Sequence, residues 1–395
     1  MKTAAQKPRR IMHVITRLIL GGAQEVVALM VRRLVKEGYQ VILVHGYGAK
    51  EVKELLPSND PNLEIHYIPE FRRNIDPISD VIVFLKLWKL MKKTKPVLVH
   101  THTSKAGILG RWAAKFAGVP ILIHHPRGSL FHPSYYPAWF LQILALIERI
   151  TARITDKMIT VSESEKQDYV RYQIAPAEQY VTIYSGVEVA RYTDVKVDIK
   201  AKKAELGIPE GRPVIGYIAR IVPEKAHWLC LQAFSKVLEK IPNAFLVLIG
   251  SGPLENEARE IIRKSKLENN VIMKGMRRDI PEIIQTFDCC VQTSLWDGLP
   301  RAMIEAMLAE KPVVATHVGG IPEIVEHNQT GILVPEKDVE AIAQGVIRVL
   351  EDPGFGKRLG QNARRKLEGI IDSEISIRKI LALYDELIQQ KIRNE

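Results

Sequence analysis

Two acidic residues stand close together in the stretch "SLWDGLPRAMIEAM", residues 294–307. Asp297 lies on a Gly-Pro turn, and Glu305 lies in an apolar helical pattern that begins at Pro300, a residue suited to the first turn of a helix. Because helical side chains lean toward the N-terminus, Glu305 can reach back to the loop that carries Asp297. Glu305 could then accept hydrogen bonds from two neighbouring hydroxyls, as on a ribose, and Asp297 could do the same for a sugar ring.

Two basic residues flank another loop, in "GYIARIVPEKAHWLCLQAF". The pattern predicts a strand that ends at Arg220 and a helix that starts after Pro223, so Arg220 and Lys225 lie at the carboxyl edge of a sheet. Such cations can neutralise a leaving diphosphate, Arg through a bidentate fork and Lys as a point charge. The alternative interpretation is a solvated basic loop.

Paired glycines follow two predicted strands, at Gly21-Gly22 and at Gly319-Gly320. Glycine lets the backbone approach a ligand closely, and the N-terminus of the following helix offers free N–H groups to an anion. Each pair alone is also compatible with an ordinary strand-to-helix turn. The Gly319-Gly320 loop is predicted at the same sheet edge as the loops of Arg220 and Asp297, and three such loops on one edge favour a binding site.

The elements that must position these residues alternate along the whole chain. Short β-branched runs such as "QVILVHG" and "AFLVLIG" are each followed by about a dozen residues of helical pattern, which is typical of parallel sheets with helices on both faces. The length of 395 residues suits two domains, with a boundary near 190–212. We expect a first domain at 1–190 and a second at 191–374, with a C-terminal helix at 375–395 that packs on the first domain. The ligand is expected to bind in a cleft between the two domains.

Composition indicates a globular, cytosolic protein. Hydrophobic residues make up 46% and charged residues 26% of the chain. Three cysteines, two of them adjacent at Cys289 and Cys290, cannot form a disulfide framework. His13 and Arg17 interrupt the first apolar run, so "IMHVIT" predicts a buried strand and not a signal peptide. No apolar stretch is long enough to span a bilayer.

The positive charge lies in the first half of the chain. Residues 1–190 hold 26 Lys+Arg against 16 Asp+Glu, or +10, and residues 191–395 hold 30 against 29, or +1, which together give the net +11. The basic half could face nucleic acid or an anionic membrane leaflet. Nucleic acid is disfavoured because the basic residues are dispersed and no known aromatic-basic module appears.

One segment of the first half has two interpretations, a membrane-contacting segment and a core helix. The stretch "FHPSYYPAWFLQILALIERITARITDK" places aromatic and apolar residues near Arg149, Arg153 and Lys157. A segment of this kind can lie at an anionic membrane interface, which predicts a cytoplasmic protein with possible peripheral contact at the inner membrane face. The alternative is a core helix of the first domain.

The order of these motifs resembles glycosyltransferase family 4, whose members are retaining GT-B enzymes that use nucleotide sugars. "LIGSGPL", "VIMKGMRRDIPEII", "SLWDGLPRAMIEAMLAEKPVVAT" and "GGIPEIV" carry the resemblance in the second half, and "GGAQEVV", "VHTHTSKAGILGRWAAKFAGVP" and "DKMITVSESEKQDYV" carry it in the first. It covers nearly the whole chain and is most specific over 285–323. It implies an α/β GT-B fold of two facing, doubly wound Rossmann-like domains, the first for the acceptor and the second for the nucleotide sugar.

The resemblance also implies a role for each site residue. Arg220 and Lys225 would hold the diphosphate, Glu305 the ribose, and Asp297 the transferred sugar. The other nucleotide-sugar positions it implies are Gly21, Gly22, Gly275, Leu299, Gly319 and Gly320. The chain has no Asp-x-Asp pair, so we expect the cations and helix termini to neutralise the diphosphate without a metal or other cofactor.

The chain departs from the family pattern in four places. Asp297 replaces the usual Glu and is shorter by one C–C bond, roughly 1.5 Å. Ala226 stands where Gly usually follows the phosphate-binding Lys, and Ser185 stands where Asn is common. Arg127, aligned on Gly128, replaces the His that lies beside the reacting sugar.

Arg127 is the departure with the largest chemical consequence. A neutral His can accept a hydrogen bond or pass a proton, whereas Arg stays charged and cannot act as a base. His124 or His125 could substitute only if the loop runs differently. Arg127 could instead hold a donor phosphate or an acidic sugar, could leave transfer impaired with donor binding retained, or could be tolerated by an enzyme that uses a neutral sugar.

The leading hypothesis is a retaining glycosyltransferase that moves a sugar from a nucleotide diphosphate, UDP in the first instance, to a glycan or lipid-linked acceptor in cell-envelope polysaccharide or glycolipid synthesis. The first alternative is a nucleotide-sugar-binding protein of the same fold that is catalytically impaired. The second is a GT-B sugar-nucleotide epimerase, which the motif spacing disfavours.

Overall fold

Parallel strands form two separate sheets in the computed structural model, which describes residues 9–18, 22–48, 56–57, 60–129, 131 and 136–394. The chain divides into two units, the first made of residues 1–186 and 373–395 and the second of residues 187–372. The chain thus leaves the first unit after Gly186 and returns to it at Ser373.

The first unit contains a seven-stranded sheet of order β3-β2-β1-β4-β5-β6-β7, in which every pair is parallel. Its strands are β1 (Arg10–Ile15), β2 (Gln40–His45), β3 (Leu63–Tyr67), β4 (Leu98–His102), β5 (Ile121–His125), β6 (Lys157–Thr160) and β7 (Tyr180–Thr182). Its helices are α1 (Gly22–Lys36), α2 (Pro77–Thr94), α3 (Ser104–Ala117), α4 (Ala138–Ala152), α5 (Glu163–Arg171) and the C-terminal α15 (Ser373–Asn394).

The second unit contains a six-stranded parallel sheet of order β10-β9-β8-β11-β12-β13. Its strands are β8 (Val214–Ile218), β9 (Phe245–Ile249), β10 (Val271–Met273), β11 (Cys289–Gln292), β12 (Val313–Thr316) and β13 (Ile332–Val334). Its helices are α6 (Ala190–Thr193), α7 (Ile199–Leu206), α8 (His227–Lys240), α9 (Glu255–Lys264), α10 (Ile280–Gln285), α11 (Arg301–Leu308), α12 (Ile321–Ile324), α13 (Val339–Glu351) and α14 (Pro353–Glu368).

The uniformly apolar strands are buried on both faces, as parallel strands between helical layers must be. On one face of the first sheet, Ile11, Ile15 and Leu98 pack with residues of α1 and with Leu383 and Leu387 of α15. Burial of this apolar surface fixes the C-terminal helix on the first unit.

Both sheets follow the doubly wound rule, since the strand order reverses between β1 and β4 and again between β8 and β11. Ligands of open parallel sheets bind outside the carboxyl ends of the strands at such reversals. Within the described part of the chain, no helix is both long and apolar enough to cross a bilayer.

Candidate functional site

Four of the residues singled out in the sequence lie beyond the carboxyl ends of adjacent strands of the second unit. Arg220 and Lys225 follow β8, Asp297 follows β11, and Gly319 follows β12. These strands are neighbours in the sheet, so their loops meet at one edge where the strand order reverses. The fold therefore brings together residues that are almost one hundred positions apart in sequence.

Lys225 and Asp297 form an ion pair in which Nζ donates to Oδ2 of the carboxylate. Both side chains are mostly buried, with 16% and 12% of their surface exposed. The hydroxyl of Ser294 lies 3.5 Å from the same carboxylate oxygen. A partly buried lysine and carboxylate that neutralise each other can separate when an anionic ligand offers the lysine a second partner.

Hydrogen bonds to carbonyl oxygens of the loop that carries Lys225 hold it to β8 and to the residues that follow β11. The hydroxyl of Tyr217 donates to the carbonyl oxygen of Lys225, and that of Thr293 donates to the carbonyl oxygen of Ala226 over 3.1 Å. Leu295 N–H donates to the carbonyl oxygen of Glu224 over 2.9 Å. These bonds fix the position of Lys225 relative to the Asp297 loop.

Ala226 has a left-handed backbone, with φ 45° and ψ 52°, immediately before α8. This conformation is unfavourable for residues with a Cβ atom and natural for Gly, the residue of the family pattern at this position. Burial, and next the charge of Lys225, lower the pKa of the adjacent His227 to about 4, so this imidazole is neutral at pH 7. His227 therefore adds no positive charge to this loop, whose cations are Arg220 and Lys225.

Glu305 lies in the middle of α11 and has local partners. Arg301 Nε donates to its Oε1 over 2.8 Å, and both side chains are mostly buried. Burial, and next the charge of Glu305, raise the pKa of Tyr192 well above its ordinary value. Each of the two acids therefore has its own cation in the described structure. That Glu305 reaches back to the Asp297 loop stays a prediction.

Arg220 is the exposed cation of this edge. Its side chain is 57% exposed and its guanidinium lies 3.5 Å from Glu224. An ion pair this exposed contributes little to stability and can rearrange when an anion arrives.

Gly319 makes the closest backbone approach at this edge. Its φ is +53°, and a Cβ atom built on it would lie 1.9 Å from the carbonyl oxygen of Asp297. The next residue, Gly320, donates its N–H to that same oxygen over 2.9 Å. The second Gly-Gly pair thus fixes the Asp297 loop against the loop after β12.

The remaining predicted positions lie on other loops or at helix ends. Gly275 follows β10 with φ +62°, and a Cβ atom added to it would meet no other atom within 4 Å, so its backbone conformation alone requires glycine. Leu299 is partly exposed beside the N-terminus of α11. Gly22 is the first residue of α1, and Gly21 lies outside the described residues.

We expect Gly319→Ala to lower the melting temperature of the second unit by about 5–10 °C, because the new methyl would collide with backbone that cannot move independently. The matched control is Gly275→Ala, which has the same left-handed backbone but open space around the methyl. That change should cost about 1 kcal/mol, or about 2–4 °C. Calorimetric scans that give equal shifts for both variants would contradict the close packing of the two loops.

A cluster of histidines lies on one face of the first sheet. His13 of β1 is the register partner of His100 of β4, and His102 is the partner of His125 of β5. His13 Nδ1 lies 3.0 Å from His102 Nε2, and His100 Nδ1 lies 2.5 Å from the hydroxyl of Tyr384 in α15. All four imidazoles are almost fully buried.

Burial and neighbouring charge keep these histidines neutral at pH 7. Burial, and next the charge of Arg127, lower the pKa of His13 to about 3. The pKa values of His100, His102 and His125 also lie well below the ordinary value, with burial as the main cause. Neutral imidazoles each offer one donor and one acceptor.

His13, His100 and His102 also have nitrogen atoms within 4.8 Å of one another, the one such group of possible metal ligands among the described residues. Imidazole nitrogens at this separation could hold a transition metal. However, the guanidinium of Arg127 is close enough to lower the pKa of all three, and this charge opposes a dication. The expectation of a metal-free site stays a prediction.

This cluster was not predicted, although the sequence contains a signal for part of it. The i, i+2 spacing of His100 and His102 in "VLVHTH" puts both side chains on one face of a strand. Recognising the cluster required the strand order, which places His13 and His125 on the neighbours of β4.

Two family models match the chain. The model described as Glycosyltransferase Family 4 matches residues 20–191, and the model described as Glycosyl transferases group 1 matches residues 198–366. The two matches correspond closely to the first sheet with its helices and to most of the second unit.

Similar proteins span the same length. UDP-Gal:alpha-D-GlcNAc-diphosphoundecaprenol alpha-1,3-galactosyltransferase of Escherichia coli is 28% identical over 387 residues, which are 97% of this chain and 98% of the relative. The capsular polysaccharide biosynthesis glycosyltransferase CapM of Staphylococcus aureus is 27% identical over 83% of this chain and 86% of its own.

Solved structures share the fold. HepE of Anabaena, crystallised with UDP and glucose, superposes with a TM-score of 0.82 at 21% identity, over 96% of this chain and all of that one. WaaG, a glycosyltransferase of lipopolysaccharide biosynthesis, superposes with a TM-score of 0.76 at 14% identity, over 93% and 98% of the two chains. At these identities the likeness establishes the arrangement of helices and strands in two Rossmann-like units of GT-B type.

Proposed function

Because the chain belongs to family 4 of the glycosyltransferases, we propose that it transfers a sugar from a UDP-sugar to a lipid-linked saccharide acceptor, with retention of anomeric configuration and without a metal. The observation that carries the proposal is the set of Lys225, Asp297 and Gly319 at one edge of the second sheet, at the point where its strand order reverses. Cations, a carboxylate and glycine-rich backbone are what a nucleoside diphosphate sugar requires from a protein.

Each residue has a proposed task. Arg220 and Lys225 bind the diphosphate. As the bond between the anomeric carbon and the phosphate oxygen breaks, its electron pair stays on that oxygen, and the two cations stabilise the resulting negative charge. Glu305 accepts hydrogen bonds from the ribose hydroxyls, and Asp297 accepts them from the transferred sugar. Gly319 and Gly320 let the backbone approach the donor closely.

Relatives support the choice of donor and acceptor. HepE of Anabaena was solved with UDP, and the Escherichia coli relative is named for a UDP-Gal donor and a diphosphoundecaprenol-linked acceptor. CapM is named for capsular polysaccharide biosynthesis. We therefore place this chain in cell-envelope polysaccharide or glycolipid synthesis.

The test is a panel of UDP-sugars incubated with a polyprenyl-diphosphate saccharide, followed by detection of released UDP and by proton NMR of the product. We expect transfer from a UDP-hexose, an α-configured product from an α-configured donor, and no loss of rate in EDTA. An inverted product, or dependence on a divalent metal, would refute the corresponding part of the proposal. UDP binding without turnover on any donor would favour the catalytically impaired nucleotide-sugar-binding protein.

We also propose that the first unit contacts an anionic membrane through α4. One face of this helix is buried through Leu141 and Ala145, while Trp139 (66%), Ile143 (44%), Leu146 (53%) and Ile150 (42%) are exposed on the opposite face. Arg149, Arg153 and Lys157 lie at the end of the same segment. Exposed aromatic and aliphatic side chains next to basic residues suit the boundary between acyl chains and anionic headgroups.

We expect the protein to sediment with vesicles that contain anionic lipid and to be released as ionic strength rises from about 0.05 to 0.5 M, because salt screens the basic half of the chain. Leu146→Gln combined with Ile150→Gln should reduce the bound fraction several-fold by removing apolar contact with the acyl region. Met276→Gln, an exposed apolar change in the second unit, is the control and should bind normally. Binding that is indifferent to both lipid charge and the α4 changes would refute the contact.

A further inference from the structure

Arg127 has a backbone conformation that its side chain does not favour. It lies in the turn after β5, with φ +67°, in the left-handed region that few residues other than Gly, Asn and Asp adopt. Such outliers concentrate at binding and catalytic positions, where the surroundings hold them in place.

The guanidinium of Arg127 is incompletely paired. Its Nη1 lies 3.4 Å from the hydroxyl of Ser185, but its buried Nε and Nη2 lack a hydrogen-bond partner among the described residues. A buried charged donor without an acceptor is costly, so these two N–H groups are available for an anion that can accept both.

Glu165 is the carboxylate whose charge acts most strongly on Arg127, and both of its oxygens accept hydrogen bonds from other groups. Glu165 Oε1 accepts the N–H of Gly128 over 2.6 Å, and Oε2 accepts the N–H of Val161 over 2.6 Å. Burial raises the pKa of Glu165 to about 7, so part of its population is neutral at pH 7. Glu165 therefore stabilises the turn at Gly128 and does not accept hydrogen bonds from Nε and Nη2 of Arg127.

Two neutral imidazoles, His102 and His125, are close enough to the guanidinium for its charge to lower their pKa values. His102 ends β4 and His125 ends β5, and they are register partners at the carboxyl edge of the sheet. His102 Nδ1 and both ring nitrogens of His125 are buried without a partner among the described residues. These imidazoles can donate N–H groups to an anion or accept from a protonated one.

We propose that Arg127, His102 and His125 form a binding site for an oxyanion of the substrate, either the carboxylate of an acidic sugar or a phosphate of the acceptor. The inference rests on the proposed function for its biological meaning, but anion binding itself can be measured alone. Arg127 Nε and Nη2 would hold two oxygens of the anion side-on, and the imidazoles would bond the remaining lone pairs. In this chain, the residue that replaces the family's neutral His therefore selects a charged substrate group.

The test follows the histidine ring signals of the full chain by ¹⁵N NMR during titration with glucuronate, and separately with methyl phosphate. We expect saturable shifts of the His102 and His125 signals, with the tighter of the two probes identifying the source of the anion. Arg127→Asn, chosen because Asn tolerates the left-handed backbone, should weaken binding at least about 10-fold. Arg127→Lys should retain an intermediate affinity because the charge remains and the fork is lost.

Arg73→Gln is the control, since it removes one exposed positive charge from the same unit. The affinity of this variant for glucuronate and methyl phosphate should differ from that of the native protein by less than about 2-fold. A circular dichroism spectrum and a melting temperature of free Arg127→Asn protein that match those of the native protein show that the variant remains folded. No saturable shift in the native protein, or equal shifts in Arg127→Asn, would overturn the inference. A parallel titration of the native protein with UDP separates the two proposals. Absence of UDP binding contradicts the proposed function, whereas absence of the histidine shifts contradicts only the oxyanion site.

Discussion

Replacing Glu305 by Ala should weaken UDP binding by tens to a hundredfold. The carboxylate is buried in α11, and the proposed ribose bonds are two charge-assisted acceptor contacts whose loss is about 2–3 kcal/mol. Calorimetric titration of UDP measures the change directly. Because the ribose is not the reacting sugar, weaker donor binding should account for the loss of activity, so activity at saturating donor should fall much less than affinity.

The same substitution also removes the partner of Arg301, which donates to Glu305 over 2.8 Å. Glu305→Gln keeps the shape and one acceptor oxygen, and we expect it to bind UDP with intermediate affinity. Glu257→Ala, an exposed change on α9 of the same unit, is the control for loss of a carboxylate. A folded Glu305→Ala protein with native UDP affinity would remove Glu305 from the nucleotide site.

Much of the fold was predictable because hydrophobic pattern and strand length agree. The runs "QVILVHG" and "AFLVLIG" contain β2 and β9, and the strand that was predicted to end at Arg220 is β8, which ends at Ile218. β7 was not predicted, since it has only three residues, Tyr180–Thr182, and two of them are partly exposed at the edge of the sheet. An edge strand of this length has too few apolar residues to give a periodic signal.

The side-chain partners were less predictable than the loops. The order of strands and helices in the sequence placed Lys225 and Asp297 at a sheet edge. Their pairing, however, depends on β8 and β11 being neighbours in the sheet, although two strands and three α-helices separate them in sequence. For Glu305 a local signal existed, because Arg301 stands four residues earlier on the same helix face. The Arg301–Glu305 pair was therefore predictable from the helical spacing but was not predicted.

The left-handed residues could not be predicted, because nothing in their identity indicates the conformation. Arg127 and Ala226 are not residues that favour positive φ, yet both adopt it beside groups of functional interest. In both cases the residue replaces one that is usual in the family, His at 127 and Gly at 226. Tertiary contacts around each turn override the local backbone preference, and such contacts appear only in the folded structure.

Asp297→Asn should separate donor binding from transfer. In the free protein, Lys225 Nζ donates to Asp297, so the lysine must leave this partner to reach a diphosphate. An amide holds the ammonium less strongly than a carboxylate does. We therefore expect UDP affinity to stay equal or to rise by up to about 10-fold, a gain of at most about 1.4 kcal/mol.

The rate of sugar transfer by the Asp297→Asn protein should fall, in contrast to its UDP affinity. In the proposed role of Asp297, its carboxylate contacts the transferred sugar and stabilises positive charge as the bond to the diphosphate breaks. Loss of one such electrostatic contact typically lowers turnover about 100–1,000-fold. Calorimetry with UDP and release of UDP from the UDP-sugar give the two quantities on the same preparation. Glu257→Gln is the matched carboxyl-to-amide control, and it should change neither.

Lys225→Ala completes the comparison, because it removes the cation and leaves Asp297 without its partner. UDP affinity should fall about 10–100-fold, as expected when a charged donor to phosphate is lost. If Lys225 binds the diphosphate, the double change Lys225→Ala with Asp297→Asn should bind UDP no better than Lys225→Ala alone. Equal gains from Asp297→Asn with and without Lys225 would instead mean that the aspartate repels the diphosphate directly, and that the ion pair does not control donor binding.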